Sequence, residues 1–163
     1  MSMDLIAVGP NRGTLSQGDA RAACEADGRF DIVVFCAEEF QPQREIMSKA
    51  SDKVRFLYAP LDDGELSEKE LMTAMETADL TARAFKAGKR ILITCMQGRN
   101  RSGLVTALTL HILYGMGGGA AAEMVRRRRR APTGPAMNNP SFNRFLENIP
   151  TKNSRPELIL SSR

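Results

Sequence analysis

One histidine in 163 residues, His111, leaves little room for imidazole chemistry. A His-rich metal site is excluded, and a Ser-His triad would have to rest on that single ring. It stands in the apolar run "TLHILY", which suits a helix-core position. Cysteine is sparse too: Cys24, Cys36 and Cys95 are odd in number and widely spaced, which fits neither a disulfide framework nor a zinc site. No stretch approaches the roughly 20 apolar residues of a membrane span. The short apolar run at residues 5–8 follows Asp4 and ends at Gly9-Pro10, so it does not read as a signal peptide, and a cytoplasmic setting is the expectation. What is present is ordinary for a globular chain, 42% hydrophobic and 26% charged, at a length that suits one domain with a real core. The net charge of +4 favours anionic partners, but five positive charges form one run, Arg126, Arg127, Arg128, Arg129 and Arg130.

Strand-like segments bounded by turn residues fall at 4–9, 31–37, 54–59 (closed by Pro60) and 90–94. Between the first two, 17–28 reads as a helix stopped by Gly28. "LDDGE" at 61–65 is a loop by composition. Ser67 with Glu70 has the form of a capping box, and Leu71, Met75, Ala78, Ala82 and Phe85 make the apolar face of a helix that ends at Gly88. Helices are expected at 103–114, at 120–131 up to Pro132, and at 138–149. The pattern predicts an α/β fold: a central, mostly parallel sheet of four to five strands with helices on both faces. One domain covers 1–150, and a polar tail covers 151–163. Parallel strands release their following loops along one sheet edge, where such folds bind ligands.

The most informative segment is "TCMQGRNRSG", Thr94 to Gly103, between the last expected strand and a helix. Backbone N–H groups converge without partners where a strand turns into a helix start, and the helix dipole adds positive potential. Gly98 permits a tight fold, and Gly103 lets the helix pack closely. Arg101 can grip two oxygens of a phosphate with its planar fork. Cys95 lies in the floor, where the field that welcomes an oxyanion also favours a thiolate. The loop reads as a phosphate cradle, Met96, Gln97, Gly98, Arg99, Asn100 and Arg101, over a nucleophile.

Cys-x5-Arg-Ser-Gly with Gly98 inside resembles the signature loop of the cysteine-based protein tyrosine phosphatases, and the chain length suits the small dual-specificity branch. The resemblance implies that Cys95 attacks phosphorus to give a phosphocysteine, that Arg101 and the loop amides hold the phosphoryl oxygens, and that Ser102 steadies the departing thiolate. It implies no metal and no cofactor. The leaving oxygen needs a proton from a carboxylic acid on another loop. "LDDGE" supplies Asp63, at about the spacing the family uses, with Asp62 as the rival. Thr94 occupies the place where the family usually has histidine.

"CAE" at 36–38 is similar to a segment of the phosphoinositide and tensin-like branch, which implies Cys36 as a redox partner of Cys95. The other reading is a buried strand residue. Cys24 is expected in the core. The arginine run is read either as a solvated helix end or as a basic wall for a polyanion such as an RNA 5′ end or an inositol phosphate. "NNPSFNRFL" resembles the family's closing segment, making Asn139 and Phe142 structural positions. Asn100 before Arg101 is similar to the loop of RNA 5′-triphosphatases. The expected function is a protein tyrosine or dual-specificity phosphatase acting on phosphorylated proteins. An RNA 5′-triphosphatase or a phosphoinositide phosphatase is the alternative, and a phosphate-binding pseudophosphatase is the non-enzymatic one.

Overall fold

The computed structural model describes residues 2–26, 28–39 and 53–152. Most of the expected tail, from 153 onward, lies outside them. In chain order the elements are β1 Met3–Val8, a 3-10 turn Pro10–Arg12, β2 Thr14–Gly18, α1 Ala20–Cys24, β3 Ile32–Ala37, β4 Arg55–Leu61, α2 Glu68–Lys86, β5 Arg90–Thr94, α3 Arg101–Tyr114, α4 Gly118–Arg128 and α5 Pro140–Glu147. The five strands form one sheet in the order β1-β2-β5-β3-β4. β1 pairs antiparallel with β2, and the other pairings are parallel.

Four of these strands match the sequence reading, and β2 does not. Its segment "TLSQG" carries no apolar alternation, and the sequence pattern places Gln17 and Gly18 in the following helix. Pairing with β5, Gln17 opposite Ile93 and Gly18 opposite Thr94, overrides that weak local signal. The helix is accordingly only five residues long, and Asp19 caps it by accepting from the Ala22 N–H at 2.9 Å. Cys24 on this short helix is exposed, not core, because one turn against the sheet leaves an outer side. Pro60 does not close β4 either. The strand runs through it to Leu61, across a register shift against β3, which an edge strand tolerates.

Side-chain alternation divides the core. Val34, Ile91 and Ile93 face α3 and its neighbours, while Val33, Phe35 and Leu92 face Ala22 and Ala23 of α1. α3 is buried from Arg101 through Leu110 because α2, α4 and the sheet enclose it. The capping box of α2 forms as expected: the Glu70 N–H donates to Ser67 Oγ (3.2 Å) and the Ser67 N–H to Glu70 Oε2 (2.8 Å). Its buried face is rotated from expectation, with Ala74, Thr77, Ala78, Thr81, Ala82 and Phe85 inside and Met75 exposed. His111, half-buried, sits 2.6 Å through Nδ1 from the Met116 carbonyl at the turn after α3. No single helix among the described residues is long and apolar enough to cross a membrane.

Candidate active site

The parallel strands all end at one sheet edge, so the residues that follow them meet there: Asp19 after β2, Glu39 after β3, Asp63 after β4 and Cys95 after β5. A recess of about 180 Å³ at this edge is lined by Glu39, Asp63, Cys95, Met96, Gln97, Arg99, Asn100 and Arg101. The expected cradle residues other than Gly98 share one cavity with the expected acid, and Asp62 is not among its lining residues.

The loop from Cys95 to α3 is held from behind. Gly98 takes φ of +63°, and a Cβ there would lie 2.5 Å from the Gly18 carbonyl carbon and 2.6 Å from Arg129 Nη2. Only glycine meets both demands. The Gly98 carbonyl accepts from Arg129 Nε (2.8 Å) and Gln17 Nε2 (3.1 Å). Arg129 also donates to Asp4 Oδ2 (2.7 Å), Ser2 Oγ (2.8 Å) and the Ser2 carbonyl (3.3 Å), and its side chain is fully buried. The arginine run is thus not one basic surface. Arg126 donates to Asn143 Oδ1 and the Met137 carbonyl, Arg128 to the Ile6 carbonyl, and Arg127 to Glu123. Arg126, Arg127 and Arg128 point to different sides of the last turn of α4, and Arg129, on extended backbone, and Arg130 lie beyond it, so the five do not share one face.

Cys95 is 4% exposed, with Sγ 3.2 Å from Ser102 Oγ. Arg101 is buried and presents both Nη atoms to Glu39: Nη2 reaches Oε1 at 2.6 Å, and Nη1 reaches Oε2. Its Nε has no hydrogen-bond partner among the described residues. Burial works against the Arg101 charge, but its hydrogen bonds to Glu39 and the electrostatic attraction of Cys95, Glu39 and Asp63 outweigh it and raise its pKa. In turn the Arg101 hydrogen bonds hold the Glu39 carboxyl below its ordinary range against the effect of burial. Glu39 was not foreseen. It stands in "CAEEF", where neither carboxylate has a partner within reach of local sequence.

Arg99 lines the recess, but its guanidinium turns away to the Pro135 carbonyl (3.0 Å), the Thr133 carbonyl (3.2 Å) and Gln97 Oε1 (3.2 Å), fastening the segment that follows α4. Asn100 is a bridge. Its Oδ1 accepts from the Asn138 and Asn139 N–H groups, and its Nδ2 donates to Asp63 Oδ2 at 3.3 Å. Asn139 caps α5 through Oδ1 and donates from Nδ2 to Asp63 Oδ1 (3.1 Å) and the Gly64 carbonyl (3.3 Å). Both oxygens of Asp63 are held in place by amides. Asp62 instead donates its backbone N–H to Glu70 Oε1 at 2.8 Å. Phe142 is fully buried, as a structural position should be.

Thr94 donates its hydroxyl to the Val34 carbonyl at 2.9 Å, a bond to the neighbouring strand and not to the loop. Cys36 is fully buried at the end of β3. Burial pushes its thiol well above the ordinary value, the nearby Cys95 charge adds to that, and Arg101 opposes it. Gly103 admits Met137, whose Sδ would lie 2.4 Å from a Cβ at that position.

No family model matches the chain, and no curated protein does. Solved structures do. The crystal structure of human DUSP28 matches at 26% identity over 90% of this chain and 91% of that one, with a TM-score of 0.69. The crystal structure of Tk-PTP in the active form matches at 26% identity, covering 90% and 96%, with a TM-score of 0.66. A mouse putative dual specificity phosphatase complexed with zinc tungstate matches at 25% identity, covering 90% and 84%, with a TM-score of 0.70. These likenesses are consistent with the cysteine-based protein tyrosine phosphatase superfamily and its small dual-specificity branch. The chain's mostly parallel five-stranded sheet flanked by helices is the architecture expected of that branch.

Proposed function

We propose that this protein is a phosphomonoester hydrolase working through a phosphocysteine intermediate, with phosphotyrosine and phosphoserine or phosphothreonine of proteins as its substrates. The observation that carries the reading is the meeting of Cys95, Arg101 and a doubly anchored Asp63 on one recess. Cys95 Sγ attacks phosphorus as the ester P–O bond breaks, and the leaving oxygen takes a proton from the Asp63 carboxyl. Water then attacks phosphorus, Asp63 takes its proton, and the S–P bond breaks with its electron pair returning to Sγ. Arg101 and the loop N–H groups hold the equatorial oxygens throughout, and Arg101 Nε, without a partner among the described residues, is a donor left for that work. Ser102, in contact with Sγ, donates to the departing thiolate. Tungstate is a tetrahedral oxyanion like phosphate, so the tungstate complex of the mouse relative supports the same assignment. Cys36, buried and in the field of Cys95, is the partner for a reversible disulfide under oxidation.

Turnover of para-nitrophenyl phosphate tests the assignment. Wild type should be active, Cys95→Ser inactive, and Asp63→Asn slower by about 10²-fold or more, as loss of a general acid requires. Inactive wild type that still binds vanadate would instead indicate a pseudophosphatase. Phosphotyrosine peptide, triphosphate-ended RNA and inositol phosphates, compared at equal concentration, then rank the substrate classes.

A further inference from the structure

The strand that sequence alone did not reveal carries a polar side chain into the back of the site. Gln17 on β2 is fully buried, and its amide nitrogen lies 3.1 Å from the Gly98 carbonyl, 3.1 Å from Ser102 Oγ and 3.5 Å from the Arg99 carbonyl. Two carbonyl oxygens among these neighbours fix which end of the amide is the nitrogen, since the reverse orientation would set oxygen against oxygen. The amide oxygen has no hydrogen-bond partner among the described residues, so burying this group does more for the loop than for the fold.

We infer that Gln17 is a positioning residue that aims the Ser102 hydroxyl at the Cys95 sulfur, a role that rests on the phosphatase reading above. Ser102 Oγ accepts from Gln17, so its own proton is directed to Sγ at 3.2 Å. A thiolate can only accept, so each donor along the Gln17–Ser102–Cys95 chain meets an acceptor. The second Gln17 hydrogen joins Arg129 on the Gly98 carbonyl. A planar trans peptide points its C=O and N–H in opposite directions, so that clamp turns the Arg99 N–H away from Gln17. Thr94, whose hydroxyl is committed to β3, makes no bond to the loop, and the support comes from β2 instead.

The step most exposed to this chain is the second one, in which water attacks phosphorus, the S–P bond breaks and the electron pair goes to Sγ. Gln17→Met keeps the volume and removes the donor. Its kcat on para-nitrophenyl phosphate should fall about tenfold, equivalent to one lost hydrogen bond in the transition state, with kcat/KM nearly unchanged. Rapid mixing should show a burst of nitrophenol as the phosphocysteine accumulates. Because Gln17 acts through Ser102, adding Ser102→Ala to Gln17→Met should lower kcat no further than Ser102→Ala alone. Steady-state release without a burst, or a double variant in which the two losses multiply, would overturn the inference while active wild type keeps the phosphatase reading intact. Inactive wild type would sink both. If near-ultraviolet circular dichroism shows Gln17→Met misfolded, Gln17→Leu takes its place. Misfolding of both would make the amide a fold determinant and also overturn the proposal.

Discussion

Removing the anion from the buried Asp4–Arg129 pair should cost more than removing the cation. The Arg129 side chain is 0% exposed, whereas that of Asp4 is 30% exposed. Asp4→Ala leaves a guanidinium sealed from water with only carbonyl and hydroxyl acceptors, and it also strips the Arg130 N–H of its partner. Orphaning a buried charge costs about 3–5 kcal/mol. Arg129→Met leaves a carboxylate that water already reaches and a Gly98 carbonyl that keeps Gln17, so the loss should be about 1–3 kcal/mol, mainly desolvated acceptors. The double variant should lie near Arg129→Met, because no buried charge is then left alone. Urea unfolding at pH 7, read through midpoints at constant slope, measures all three. An Asp4→Ala variant as stable as Arg129→Met, or a double variant whose losses simply add, would refute the reasoning.

Acid should weaken the fold through Asp31, which accepts from the Arg90 backbone N–H (2.8 Å), Nε (3.2 Å) and Nη2 (2.9 Å). The Arg90 hydrogen bonds hold this carboxyl below its ordinary value of 3.8 against the effect of burial, so its stabilisation is complete above that pH and lost as pH falls through the lower folded value. Unfolding followed from pH 6 to pH 3 should show a shallower acid loss in Asp31→Asn than in wild type, and equal slopes would reject the pair's role. Asn139→Ala should lower stability by about 1 kcal/mol through the lost α5 cap. It should also slow phenyl phosphate more than para-nitrophenyl phosphate, because the poorer leaving group depends more on a well-placed Asp63. Equal losses on the two esters would count against that anchoring.

The parts of the site within one stretch of chain were readable from sequence. Cys95, Gly98, Arg101, Ser102 and Gly103 follow one another through a strand-loop-helix turn, and each residue type answers a local demand. Asp63 was reachable because parallel strands share an edge, which is a topological inference and not a local one. Glu39, Gln17 and Arg129 were not, for different physical reasons. Glu39 acquires meaning only from Arg101, a partner 62 positions along the chain. Gln17 sits in a strand made by pairing with β5 and not by its own propensity. Arg129 hides among four other arginines, and only burial distinguishes it from Arg127. Met75 and Cys24 failed in the opposite direction: helical spacing marks a face, but the width of what packs against it decides which residues are covered.

The central claim concerns a covalent bond between phosphorus and one sulfur. Acid-quenching Asp63→Asn during turnover of para-nitrophenyl phosphate and mapping the protein by mass spectrometry should find a phosphoryl group on Cys95. The adduct should be absent from Cys95→Ser. Undiminished hydrolysis by Cys95→Ser, or a phosphoryl group carried on any other residue, would contradict the account.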